Sequence, residues 1–224
     1  TNLNYWVNEK DSPYTEVKRF DWFRGYHVGG RSLMWGRQSY RLSEMDFEAN
    51  EKDGIAVDWP IRYKDIEKWY DHVEIHAGIS GSTENLEILP DSKFLPPFEM
   101  NVVEKEMKTR IEKKWPTRKL IMGRTAHLSV PAPHHTAQGR IQCQARNECQ
   151  KGCSFGAYFS TQSSTLPSAL ATNNLSIATN SIVHSVIYDP KTNRATGVRV
   201  IDAETMETRE YFAKVIFLCA STLG

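Results

Sequence analysis

Three cysteines fall within eleven residues of the sequence, in the segment CQARNECQKGC. Cys143, Cys149 and Cys153 have the spacing C-x5-C-x3-C. Three thiolates are too few for a four-cysteine cluster but suit a three-iron cluster, or a zinc ion with a histidine as its fourth ligand. The histidines considered for that role are His127, His134 and His135. A disulfide with one free thiol and a set of three unbonded thiols also stay open, and a disulfide would require an oxidising compartment that nothing in the sequence indicates.

Two further candidates for chemistry are better explained by structure. His72 and His76 are spaced i and i+4, which can bind a metal, but Glu74 lies between them and no third ligand is near, so solvated or packing histidines are favoured. Cys219 lies in the apolar run VIFLCA. Because free cysteine is among the most buried residue types, we predict a small core residue there.

A pair of glycines marks a second segment of interest, HVGGRSLMWGRQSYR, residues 27–41. A glycine pair inside a folded domain usually supplies a positive φ or allows something to approach the main chain closely. The segment therefore predicts either a tight turn or a ligand beside the backbone.

Composition excludes several classes of function. The 224 residues are 40% hydrophobic and 25% charged, and the formal net charge is +1 with no long run of either sign, so nothing favours nucleic acid or an anionic membrane as a partner. No apolar run approaches the roughly 18 residues of a membrane span. The sequence opens on Thr1 without a signal-peptide pattern and closes on FLCASTLG, so we expect both ends to come from a longer protein.

Helical periodicity appears in three places, while residues 1–60 favour loops and short strands. Residues 63–77, followed by Gly78, predict an amphipathic helix with an apolar face formed by Ile66, Trp69, Tyr70, Val73 and Ala77. Asn101 and Glu104 predict a capping box for a second helix that ends at Pro116, with a face formed by Val103, Met107, Ile111 and Trp115. Residues 160–172 predict a third helix with a buried side formed by Leu166, Ala169 and Leu170.

The last fifty residues have a β pattern. Residues 175–189, 195–202 and 209–220 are rich in β-forming residues and are separated by the turn segments KTNR and AETMET. They predict an antiparallel meander that leads into VIFLCA, which is apolar enough to be a central strand. The long aperiodic region 117–160, which contains the three cysteines, is expected to be functional or tied down.

The glycine segment resembles a loop of the glucose-methanol-choline (GMC) flavin oxidoreductases, most closely their sugar- and gluconate-oxidising dehydrogenase branch. In that branch a GGxSxxWG-type loop passes beside the flavin ring, and it is matched here by Gly29, Gly30, Ser32, Trp35 and Gly36. The resemblance implies that the ligand beside this loop is FAD.

Further family segments match in the same order, over most of residues 25–224. The WP-type turn before a helix resembles DWPIRYKDIEKWYDHVEIHAGISG, and the stretch leading into the next helix resembles GCSFGAYFST. The strand and hairpin whose valine contacts the adenine of FAD resemble TNSIVHSVIYDPKTNRATGVRV, which implies that role for Val183. The turn near the flavin diphosphate resembles FLCASTLG, which implies contacts from Ala220 and Ser221, although Ser221 stands where glycine is usual.

The pattern and the resemblance together predict an α+β chain, part of a FAD-binding α/β fold that carries an antiparallel meander, inserted helices and long loops. Residues 1–60 are expected to form a flavin-proximal loop segment, residues 61–160 an inserted helical or cap region with the cysteine loop, and residues 161–224 a helix and meander that return to the FAD domain.

Two family features are missing from the sequence. It contains no G-x-G-x-x-G turn for the cofactor diphosphate, and the C-terminal histidine of the family's catalytic pair is not in it, so no catalytic residue is assigned. We therefore expect this chain by itself to bind FAD weakly or not at all and to be inactive. Met34 stands where some members carry the histidine that attaches the flavin covalently, so a dissociable flavin is expected.

The resemblance also implies a reaction. A CH–OH group of a sugar, polyol or sugar acid would give a hydride to the flavin while a histidine outside this sequence takes the proton. That branch includes enzymes with a three-iron, four-sulfur cluster in a three-cysteine loop of this spacing, which implies that the cysteine loop passes electrons singly to an electron-carrier protein or cytochrome subunit. An oxygen-using oxidase also stays open, as does a non-catalytic domain with a structural zinc or disulfide.

Overall fold

The computed structural model describes residues 6–149 and 152–220. The chain divides into two compact units, residues 1–174 and residues 175–224, and each is described by itself. Helices and extended segments form the first unit, and a small antiparallel sheet forms the second, which agrees with the predicted α+β class. The predicted division into residues 1–60, 61–160 and 161–224 was based on expected function and not on contacts within the structure, and it stays a prediction.

The helices of the first unit include the elements that the periodicity predicted. They are α1 (Glu44–Lys52), α2 (Tyr63–Ala77), α3 (Val102–Lys114), α4 (Pro133–Thr136) and α5 (Leu166–Leu170), with a 3-10 helix at Gly30–Leu33 and a π-helix at Thr161–Thr165. α2 ends at Gly78 with φ +79°, and α3 begins with the predicted capping box, in which the Glu104 amide donates to Asn101 Oδ1 at 2.9 Å. Within the described residues, no helix has the length and apolar character needed to cross a membrane.

The prediction of loops and short strands for residues 1–60 is wrong at α1. Ser43 caps this helix, and its amide donates to Asp46 Oδ2 at 2.6 Å. Asp46 thus performs the role that glutamate or glutamine has in the usual capping box. The segment Ser-Glu-Met-Asp was the sequence signal that could have revealed the helix.

The apolar face predicted for α2 is buried only in part: Ala77 is buried and Ile66 and Tyr70 are partly buried. Trp69 and Val73 of α2 are both 59% exposed, whereas Glu74 is buried and accepts a hydrogen bond from Arg41 Nε at 3.0 Å. The apolar face predicted for α3 is not buried, since no residue of that helix is buried. Its exposed members are Val103, Met107 and Trp115.

The third predicted helix exists but differs in form. It runs as the π-helix followed by α5, and Leu170, which was predicted to be buried, is 52% exposed. The buried residue on this segment is Ser164, whose hydroxyl donates to Gln138 Oε1 at 2.9 Å. A polar contact again replaces the expected apolar one.

Extended segments near residues 37–39, 79–81, 124–128 and 157–159 meet at the centre of the first unit. The Ala126 amide donates to Arg37 O at 2.8 Å, and the Phe159 amide donates to Ala126 O at 2.8 Å. Ala77, Ile79 and Ala126 form a small apolar core beside them. These main-chain bonds tie down the long 117–160 region, and Leu33 of the glycine segment and Cys153 of the cysteine loop line the same cavity.

The second unit is the predicted antiparallel meander, with strands β1 (Ser181–Asp189), β2 (Arg194–Asp202) and β3 (Thr208–Phe212) in that spatial order. The prediction that VIFLCA forms a central strand is wrong, because residues 215–220 form no strand, and Phe217 is 84% exposed. A strand that is apolar on both faces requires neighbours, and no described strand pairs with this run. Cys219 is accordingly exposed rather than buried.

Candidate functional site

The glycine segment folds into a turn that is fastened to the start of the π-helix. The Ser32 hydroxyl donates to Gly29 O at 2.6 Å and accepts from the Thr161 amide at 3.0 Å. Trp35 Nε1 donates to Phe159 O at 3.3 Å, and the two rings meet edge to face. Ser32 and Trp35, predicted as flavin contacts, therefore use their polar atoms to hold the loop in place.

The three glycines of the loop have different physical reasons for lacking a side chain. Gly29 has φ +93°, and a Cβ there would lie 2.6 Å from Leu33 Cδ1, so the chain itself requires glycine. Gly30 also has a positive φ of +50°, but its nearest neighbour would be Gly25 O at 3.8 Å. Gly36 is exposed, and a Cβ there would meet nothing within 4 Å. The open main chain lies at Gly30 and Gly36.

The predicted adenine and diphosphate contacts belong to the second unit or lie outside the described residues. Val183 pairs with Val200 on β2 and is 55% exposed, and β1 has no described strand on its other edge. Ala220 is exposed, and Ser221 lies outside the described residues. Contacts from these three residues to FAD stay predictions.

The cysteine loop is anchored at its ends and brings its thiols into one neighbourhood. The Cys143 amide donates to Leu128 O at 2.8 Å, and the Gly156 amide donates to Cys153 O at 3.1 Å. Burial raises the pKa of the Cys149 thiol, and the charges of Cys143 and Cys153 add to that effect. In residues 6–149 and 152–220, however, no three His, Cys, Asp or Glu side chains are arranged to hold a metal ion, so a cluster in this loop stays a prediction.

The histidines considered as zinc ligands are engaged in other contacts. His135 is fully buried; the Ala132 amide donates to its Nδ1 at 3.0 Å, so its proton lies on Nε2, 3.0 Å from Ile75 O. Burial, followed by the charge of His134, lowers the pKa of His135 to about 4. His134 Nε2 also lies 3.0 Å from Ile75 O, and His127 Nδ1 lies 2.6 Å from Thr125 Oγ1.

His72 and His76 on α2 have separate surroundings. His72 is exposed, whereas His76 Nε2 lies 3.4 Å from Ser164 Oγ and lines a cavity of about 370 Å³ with His134. Burial, followed by the charge of Arg140, lowers the pKa of His76. Both observations agree with the solvated or packing role predicted for the pair.

Two buried arginines beside the cysteine loop were missed by the sequence reasoning. Arg37 is 2% exposed and stacks on the Tyr158 ring at 3.9 Å, and Arg140 is fully buried. Arginine is seldom buried without a charged partner, and the sequence around these two positions contains no pattern that predicts their burial. They give this side of the first unit a fixed positive charge.

The comparisons with known proteins agree with the resemblance. A family model described as GMC oxidoreductase matches residues 12–224. The fructose dehydrogenase large subunit of Gluconobacter japonicus is 25% identical over 200 residues, covering 87% of this chain and 34% of that protein. A 2-methyl-1,2-propanediol dehydrogenase of Mycolicibacterium austroafricanum is 24% identical over 207 residues, covering 88% of this chain and 35% of that protein.

This chain thus spans about a third of the length of these two relatives. The family model, in contrast, covers the chain almost from end to end. On that match, the chain belongs to the GMC oxidoreductase family.

Proposed function

We propose that this chain is the central segment of a FAD-dependent dehydrogenase that oxidises a CH–OH group of a sugar, polyol or sugar acid. The observation that carries the proposal is the glycine loop, whose main chain is open at Gly36 although Ser32 and Trp35 fix the turn on which it lies. A planar ring can approach such a backbone without displacing any side chain. The two dehydrogenases among the relatives support the reaction class.

The residues of the loop fit a flavin through main-chain contact. Gly30 and Gly36 leave room for a ring edge. At Gly29 the Leu33 side chain fills the space where a ligand would lie, so this glycine serves the turn. When bound, FAD accepts a hydride from the carbon that carries the substrate hydroxyl. The contribution of this chain is to hold one face of the ring in position, because rigid placement of reacting groups supplies much of the rate.

Arg37 holds the same loop through hydrogen bonds to its main-chain carbonyl groups. Its guanidinium donates to Leu33 O at 3.0 Å and to Trp35 O at 2.5 Å, and the residue itself has φ +62°. A non-glycine residue in that region is held by its surroundings, and here the stacking on Tyr158 and the two carbonyl bonds hold it. On the adenine side we propose main-chain contacts from Val183, Ala220 and Ser221.

We further propose that electrons leave the flavin for an acceptor other than oxygen, such as an electron-carrier protein or cytochrome subunit. One relative is named as a large subunit, which supports an assembly with other chains. The three-iron cluster predicted at Cys143, Cys149 and Cys153 would serve that transfer, but as these thiols lie in the described structure they do not form a ready metal site. The role proposed for the glycine loop does not depend on it.

Anaerobic reduction of the flavin tests the proposed reaction. The full-length protein, loaded with FAD, is mixed with fructose, gluconate or a diol, and loss of the flavin's visible absorption is followed. We expect at least one of these alcohols to reduce the flavin, and a dye acceptor to restore the absorption faster than oxygen does. Rapid reoxidation by oxygen with release of peroxide would favour an oxidase instead. A protein that no alcohol reduces would contradict the proposal.

A further inference from the structure

A cavity of about 460 Å³ lies beside the cysteine loop, within the first unit. Its volume is within the range of small-molecule sites in proteins, about 300–1,000 Å³. Its wall is polar over much of its extent, and includes Gln138, Arg140, Cys153, Ser154, Ser160 and Gln162.

Arg140 in this wall carries a buried positive charge without a matching negative one. Its Nε donates to Gly156 O at 3.0 Å and its Nη2 to Ala77 O at 2.9 Å, while Nη1 is buried and has no hydrogen-bond partner among the described residues. Burial lowers the pKa of Arg140 to about 10, and no described carboxylate offsets that effect. The residues outside the described ranges include no aspartate or glutamate.

Two other buried arginines of the same unit, Arg41 and Arg124, are each paired with a carboxylate. Arg41 donates to Asp71 and Glu74, and Arg124 Nη2 lies 2.6 Å from Asp91 Oδ1. A buried guanidinium without a partner is costly, since its desolvation is not repaid by an attraction. The difference between Arg140 and this pair therefore points to a partner that is not part of the described chain.

Arg37 adds a second positive charge on the same side. Its guanidinium bonds to Leu33 O and stacks on Tyr158, and both of these residues line the cavity. Burial lowers the pKa of Arg37, and the titratable groups that act on it in the opposite direction are Tyr158, Cys149 and Cys153, with no carboxylate of the described chain among them. Arg140 thus lines the cavity itself, and Arg37 lies behind two of its wall residues; neither guanidinium group has an acidic neighbour among the described residues.

We propose that this cavity binds an oxyanion of the phosphate type, with Arg140 as its principal charge and Arg37 as a supporting one. Guanidinium groups bind phosphate oxygens through strong charge-assisted hydrogen bonds, and the serine hydroxyls of the wall can add neutral ones. The proposal goes beyond the dehydrogenase activity and does not depend on it. The phosphate can be a free ion or the phosphate of a nucleotide, and the test separates these two sources.

The test places a negative charge in the cavity wall without removing an arginine. Replacing Arg140 itself would break main-chain bonds that hold the fold, so we choose Gln138→Glu, which has the same shape and keeps an acceptor for the Ser164 hydroxyl. The matched control is Gln38→Glu, at an exposed glutamine that also accepts from a hydroxyl, that of Tyr40. Circular dichroism and unfolding curves establish that both variants fold.

Binding of inorganic phosphate to the full-length protein is measured by calorimetry in a phosphate-free buffer at constant ionic strength. We expect saturable binding that Gln138→Glu weakens by about tenfold or more, because a like charge a few ångströms away opposes the anion, whereas Gln38→Glu leaves it unchanged. Competition by ADP would identify a nucleotide phosphate as the source, and phosphate binding unaffected by ADP would identify the free ion. Absence of saturable binding, or equal affinity in wild type and Gln138→Glu, would overturn the proposal.

Discussion

Replacing Gly29 with alanine tests whether the first glycine of the loop serves the fold. Its φ of +93° lies in the region that L-residues avoid, and the added Cβ would lie 2.6 Å from Leu33 Cδ1 and 3.3 Å from Gln162 Cγ. The backbone strain costs about 1–3 kcal/mol. The methyl group of Leu33 can move, but Leu33 is only 5% exposed, so its displacement adds to the cost. We expect the free energy of unfolding to fall by about 2–3 kcal/mol.

Urea unfolding followed by tryptophan fluorescence is the assay, because all six tryptophans of the sequence lie in the first unit. The control is Gly36→Ala, at an uncrowded glycine without a positive φ, which should change the unfolding free energy by no more than about 0.5–1 kcal/mol. If Gly29→Ala unfolds at the same urea concentration as the wild type, the assignment of Gly29 to the turn is incorrect.

Three further predictions concern the ion pair of Arg41 with Glu74, the buried His135 and the cysteine loop. Glu74→Ala leaves buried Arg41 with a weaker partner set and should lower the unfolding free energy by about 3–5 kcal/mol in urea titrations, whereas the exposed Glu106→Ala should cost less than about 1 kcal/mol. Because the pKa of His135 falls from 6.5 to about 4 on folding, its contribution to stability is present above pH 6.5 and is lost as the pH falls toward 4. His135→Leu should flatten the stability profile in that range, and an unchanged slope would contradict this. Iron and acid-labile sulfide should be present in the full-length protein and should be lost together in the serine variants of Cys143, Cys149 and Cys153; zinc in their place would refute the iron assignment.

Local signals predicted the elements whose ends are fixed by nearby residues. Examples are the Asn101–Glu104 capping box, the glycine that ends α2 and the turn segments of the meander. Each depends on hydrogen bonds and backbone conformations within a few residues of chain, so a local sequence pattern is sufficient to predict it. Helix α1 was missed because residues 1–60 show no sustained hydrophobic period, and the helix buries only Phe47; its local signal is the Ser43–Asp46 cap.

Burial was harder to predict, because it depends on partners distant in the sequence. Trp69 points to solvent since Arg41, 33 residues before Glu74, fixes the opposite side of α2. Arg37 and Arg140 are buried by carbonyl groups of residues 33, 35, 77 and 156, which no local pattern reveals. The glycine loop was recognised by its pattern, but which of its glycines the chain requires and which stay open followed only from the packing of Leu33.

FAD binding to the full-length protein with Gly36→Val tests the central claim most directly. Valine at this open, exposed position should leave the fold intact while its side chain occupies the space assigned to the flavin ring, and Ala56→Val, at another exposed loop position, is the control. Quenching of flavin fluorescence measures the affinity. We predict that Gly36→Val loses at least about tenfold in FAD affinity, equivalent to about 1.4 kcal/mol, with an unchanged unfolding curve, and that Ala56→Val binds as the wild type does. Equal FAD affinity in Gly36→Val and the wild type would contradict the claim that the flavin lies against this loop.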